Sequence, residues 1–163
     1  MAGLEDLYRE IILDHYRSPR NRGELPVPPA HKVEGFNPLC GDEVVLYLDV
    51  DPGTGTVRDI KIEGQGCSIS QASTSMMSAA VKGKSLEDTR RLIRAFKALM
   101  SIHESKLEGE SDGSDLQADL EGVRLGDLEA LQGVVKFPVR IKCATLAWNT
   151  LQQALDESSA ESV

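Results

Sequence analysis

Leu4, Leu7, Tyr8, Ile11, Ile12 and Tyr16 recur at i, i+3, i+4, i+7 spacing, which predicts an amphipathic helix over residues 4–17. Ser18-Pro19 stops it, because the residue before a proline is pushed out of the helical region. Five of the seven prolines fall within residues 19–38. That stretch is expected to be an extended connector with a short edge strand near His31–Phe36. From Glu43 to Val50 the period changes to two: Val44, Leu46 and Leu48 face one way, Val45 and Tyr47 the other. Turn residues 51–56 follow, and Val57–Glu63 returns with Ile60 and Ile62 on one face, so the pair reads as an antiparallel hairpin. Beyond Gly64-Gln65-Gly66-Cys67, residues 68–82 read as a helix of small residues with Met76 and Met77 in the core. Gly83 closes that helix, and Ser85 with Asp88 three positions on starts another over about 86–101. Gly126–Gly133 is expected to be a short helix. After the break at Pro138, a last helix is expected from about Cys143 to Ala154.

Strands early and helices late define an α+β fold: a small antiparallel sheet of about three strands covered on one face by helices. The chain of 163 residues fits one domain over residues 1–155, followed by a disordered tail at 156–163. Aromatic residues make up only 4%, so the core must be built from Leu, Ile, Val, Ala and Met. No apolar run reaches the roughly 20 residues of a membrane span, and the first residues lack the basic and apolar regions of a secretory signal. A cytoplasmic protein is expected.

Charge changes the picture in one place. The net charge is −8, and residues 104–129 hold nine acids against two bases, so this segment carries nearly all of it. An acidic insertion over about 103–122 reads as a loop or a frayed helix extension. The acidic balance argues against nucleic acid as a partner, since phosphate binding wants clustered Lys and Arg.

The candidate chemistry lies in Cys40, Cys67 and Cys143. Each is expected at an element boundary: Cys40 before the first hairpin strand, Cys67 after the second, Cys143 at the start of the last helix. An antiparallel hairpin sets the start of one strand beside the end of the next, so Cys40 and Cys67 should be neighbours. Helix N-termini favour thiolate, the form that binds metal or attacks sulfur. Three thiolates leave one tetrahedral position open, and Asp42 lies two residues from Cys40. The set suits Zn(II) as Cys3Asp, or an iron–sulfur unit held by three cysteines. Asp42 is the hardest of the four donors, which makes such a site easier to open. Arg140 and Lys142 flank Cys143 and are accessory candidates, favouring thiolate or meeting a partner. Gly64-Gln65-Gly66 lacks the ending of a phosphate loop. His15 reads as a packed histidine, and His31 and His103 as solvated. No histidine adjoins a cysteine motif, so protease-type Cys–His chemistry fits poorly.

Over residues 4–155 the chain resembles the IscU/NifU-like iron–sulfur assembly proteins, most closely the SufU branch. The likeness rests on five motifs in order: residues 7–21, with Asp14-His15-Tyr16 and Ser18-Pro19-Arg20-Asn21; Asn37-Pro38-Leu39-Cys40-Gly41-Asp42; Gly64-Gln65-Gly66-Cys67-Ser68-Ile69-Ser70; residues 126–133; and Phe137-Pro138-Val139-Arg140-Ile141-Lys142-Cys143-Ala144-Thr145-Leu146. IscU-type scaffolds carry His directly before the third cysteine, where this chain has Lys142. An ammonium cannot ordinarily stand in as a metal ligand, whereas an imidazole can. The SufU branch carries an insertion before that cysteine, and residues 104–121 look like a surplus to it. The resemblance implies a SufE/NifU-like fold and zinc on Cys40, Asp42, Cys67 and Cys143. It also implies a pyridoxal-phosphate cysteine desulfurase as partner, with downstream SUF assembly proteins after it. In the family's ligand exchange a desulfurase histidine replaces Cys40 on the metal, and Cys40 accepts the sulfur. The implied activity is zinc-dependent sulfur transfer for iron–sulfur cluster assembly. Its rivals are a scaffold that builds and passes on a [2Fe–2S] cluster, and an adaptor whose zinc is purely structural.

Overall fold

The computed structural model describes residues 4–27, 30–38, 41–108 and 125–161. Three strands, β1 (His31–Asn37), β2 (Asp42–Asp51) and β3 (Thr56–Gln65), form an antiparallel sheet in the order β1-β2-β3. The predicted alternation holds: Val44, Leu46 and Leu48 are buried with Val57, Ile60 and Ile62. Tyr47, expected on the opposite face, is also buried, with the Lys32 ammonium over its ring. Asp51 anchors the β2–β3 turn by accepting the Gly53 N–H on its side chain and the Gly55 N–H on its carbonyl. The free edge of β3 is partly closed by the connector, where Gly23 N–H donates to Ile62 O and Ile62 N–H to Asn21 O.

Helix α1 (Leu4–Arg17) packs on α2 (Ser68–Val81), and α2 packs on β3. Helix α3 (Leu86–Glu108) starts at Ser85, whose hydroxyl accepts the Asp88 N–H. Its last turns occupy the beginning of the acidic stretch, which is the helix-extension alternative; the rest of the expected insertion, from residue 109 on, lies outside the described residues. Gly126–Lys136 is a run of 3₁₀ turns, longer than the expected short helix.

The last helix, α4 (Pro138–Glu161), departs from expectation at both ends. Pro138 does not break the chain but opens the helix, where its missing N–H and fixed φ cost nothing. At the other end α4 continues helically to Glu161, well past Ala154, through most of the expected disordered tail. Asp156 pairs with Arg90 and Glu157 with His31, tying that end to α3 and β1. His31 is accordingly paired rather than simply solvated.

The buried residues form one cluster between the sheet and the helices, with Met76 and Met77 inside it. Its centre is an aromatic pair, Phe96 stacked on Trp148 at 4.5 Å between ring centroids. The Trp148 indole N–H donates to Ser73 Oγ at 3.1 Å, so the one polar atom of the ring is satisfied. Gly35 on β1 lets α4 approach closely, since a side chain there would overlap Thr150.

Candidate metal centre

The β2–β3 register pairs Glu43 with Gln65. Asp42, one residue earlier, therefore stands beside Gly66 and Cys67, one residue later. The Cys67 N–H donates to Asp42 Oδ1 at 3.0 Å. Cys67 is the N-cap of α2, as expected, and its sulfur accepts the Ser70 N–H at 3.5 Å. Asp42 is fully buried, a position a carboxylate tolerates only when its oxygens are hydrogen-bonded or bound to a cation.

Cys143 enters from α4. It lies in the second turn of the helix, not at its start, because α4 begins at Pro138. The free N–H groups of the helix terminus are therefore not what conditions this thiol. The Val139 carbonyl and the Asn37 side-chain amide each lie 3.9 Å from its Sγ. It is completely buried, whereas Cys67 is half-buried.

One ligand atom from each of Asp42, Cys67 and Cys143 lies within 4.8 Å of the other two. A tetrahedral zinc with bonds of about 2.0–2.3 Å would set its ligands roughly 3.3–3.8 Å apart. Small side-chain adjustments bring this group to that size, and two sulfurs with one carboxylate oxygen are a donor set zinc accepts. Gly66 makes the approach possible, since a Cβ there would overlap Asp42 Oδ1. The residues fit the metal. Cys40, the remaining sequence candidate, lies outside the described residues, on the connection that closes between Asn37 and Asp42.

Of the accessory candidates, Arg140 lies beside the two sulfurs. Its guanidinium is held above the ordinary arginine range, first by the charge of Cys67 and then by hydrogen bonding to Cys143 and Cys67. It is exposed, so it lines the approach to the two sulfurs. Lys142 is exposed.

His15 is packed, as expected, between Ser75 Oγ at 2.8 Å and Asp127 Oδ2 at 2.9 Å. The order Ser–His–Asp suggests a hydrolytic relay, but Ser75 is fully buried and its oxygen also accepts the Arg20 N–H. The group joins α1, α2 and the 3₁₀ run; it offers no nucleophile to solvent. The sequence reading missed Asn37 as a site residue. An amide side chain at a hairpin end, between a strand and a proline, was the available signal.

Residues 7–119 match the NifU-like N terminal domain. The chain belongs to that family. It is 43% identical over 154 residues to the zinc-dependent sulfurtransferase SufU of Bacillus subtilis, covering 94% of this chain and 92% of that protein. It is 38% identical over 159 residues to the iron–sulfur cluster assembly scaffold protein IscU of Streptococcus pyogenes serotype M1, covering 98% and 89%. Among solved structures, a protein assigned as the iron–sulfur cluster assembly scaffold of the SUF system in Fervidobacterium islandicum AW-1 superposes with a TM-score of 0.71. It shares 33% identity over 94% of this chain and 99% of that one. The three-stranded sheet with its helical cover is thus the NifU-like fold. No helix among the described residues is long and apolar enough to cross a membrane.

Proposed function

We propose that this NifU-like chain is a zinc-dependent sulfur acceptor. It takes persulfide sulfur from a pyridoxal-phosphate cysteine desulfurase and passes it toward iron–sulfur cluster assembly in the cytoplasm. The observation that carries the reading is the convergence of Asp42, Cys67 and Cys143 within 4.8 Å at one end of the sheet. The 43% identity to a zinc-dependent sulfurtransferase supports it.

Zinc, with Cys40 as the fourth ligand, would keep the site thiols deprotonated at neutral pH. The protein's own part is positional. Cys143 is enclosed and Cys67 is held at the cap of α2, so both serve as fixed donors. Cys40, on a connection with Gly41 in the left-handed region at φ +69°, is the acceptor. Its thiolate attacks the outer sulfur of the donor persulfide; a new S–S bond forms on Cys40, the donor's S–S bond breaks, and the donor cysteine leaves as thiolate. Arg140, exposed beside the sulfurs, meets the incoming negative charge.

The same four residues serve the scaffold reading, which the 38% identity to an IscU scaffold keeps in view. Lys142, where an imidazole would offer an alternative ligand, favours sulfur acceptance. Metal and sulfide analysis of anaerobically purified protein, with Cys40→Ala assayed beside it for stimulation of a desulfurase, separates them. About one zinc per chain without acid-labile sulfide, and stimulation lost in the variant, is the expected result. Iron with stoichiometric sulfide would establish the scaffold instead. The adaptor reading fails if Asp42→Ala loses both zinc and stimulation while remaining folded.

A further inference from the structure

We propose that Asn37 is a positioning residue for the metal-binding group, its side-chain amide holding Asp42 and Cys143 in place together. The inference rests on the zinc reading above. Asn37 is the last residue of β1, buried, and the register partner of Asp42. Its Nδ2 stands 3.4 Å from Asp42 Oδ2 and 3.9 Å from Cys143 Sγ, the longer distance being within reach of a large sulfur acceptor. A primary amide carries two N–H donors and no charge, so it can serve both acceptors at once. That suits the place: a carboxylate and a thiolate side by side repel, and a neutral donor between them offsets the repulsion where a second acid would add to it.

The backbone of Asn37 does related work. Its carbonyl accepts the Gly41 N–H at 2.9 Å, closing the connection that carries Cys40. Pro38 keeps Asn37 in the extended conformation that aims its side chain at the site. Residue 37 thereby ties the cysteine-bearing connection to the carboxylate of β2 and the thiol of α4. Donation to Cys143 also draws charge from its sulfur, which keeps that thiolate a ligand and a poor nucleophile.

The test uses the full chain with Asn37→Ala and the near-isosteric Asn37→Leu, which fills the space without a donor. Zinc affinity is measured by competition with a chromophoric chelator, and the Co(II)-substituted proteins are compared by absorption. Groups that orient metal ligands are worth about 10–100-fold in affinity; both variants should lose that much. Their thiolate-to-cobalt charge-transfer band should move to lower energy, a shift that looser packing alone would not produce. If either variant binds zinc within about twofold of the wild type with an unshifted band, the role of Asn37 is overturned. A wild-type chain that binds neither metal overturns the zinc reading and this inference with it.

Discussion

The Cys67 N–H donates to Asp42 Oδ1 at 3.0 Å, joining the cap of α2 to the first residue of β2 across Gly66. Gly66 has φ +149° and no room for a Cβ against the Asp42 carboxylate. Gly66→Ala should therefore strain the backbone by about 1–3 kcal/mol and displace Asp42. Both lower thermal stability and sub-stoichiometric zinc are expected. Normal zinc uptake by the folded variant would show that Asp42 does not depend on this approach.

This relationship explains which parts of the site were legible in the sequence. Period-two alternation fixed the faces of Val44, Leu46 and Leu48, and the hairpin then brought the start of β2 against the end of β3. Asp42 and Cys67 follow from that register alone. Cys143 comes from a distant helix that no periodicity aligns with the sheet, so the residues supplied the chemistry but not the placement. The helix starts five residues before Cys143 because proline, a breaker inside a helix, is favoured at the first helical position. For Asn37 the sequence offers only an amide between a strand and a proline; its contacts depend on β1, β2 and α4 meeting. The helical end of α4 rests on long-range pairs, Arg90 with Asp156 and His31 with Glu157, which a polar composition does not reveal.

His15 supplies a second prediction. Its ring bridges Ser75 and Asp127, linking α1, α2 and the 3₁₀ run. His15→Ala removes a buried partner, at a cost of about 1–3 kcal/mol, read by chemical denaturation. Zinc content should be unchanged, because the histidine touches none of the candidate ligands. Asp127→Asn keeps a carbonyl acceptor for the ring N–H and should be much milder. Loss of zinc in the folded His15→Ala protein would make this histidine part of the metal centre after all.

The Phe96–Trp148 stack gives the third. Both rings are fully buried, and they join α3 to α4 in a chain with few aromatic residues. Phe96→Ala should destabilise the protein by about 3–5 kcal/mol through lost burial and the cavity left behind. Trp148 is the one tryptophan of the chain, so its fluorescence reports the same transition directly. A loss well under this range would mean that α3 collapses into the space.

At the far end of α4, acid should reveal the contribution of Glu157. Its carboxyl is held below the ordinary 4.5, first by hydrogen bonding from His31 and then from Gln153. Since the folded state lowers this pKa, the contribution is complete above 4.5 and is lost as the pH falls through the folded value. Glu157→Gln removes the charge, so the variant should melt below the wild type at neutral pH, and the gap should narrow as the pH is brought down towards about 3. The gap is expected to be small because the pair is exposed and screened. Thermal melts of both proteins across that range check it; a gap that stayed constant would mean that packing of α4 on β1, and not this hydrogen bond, fastens the helix end.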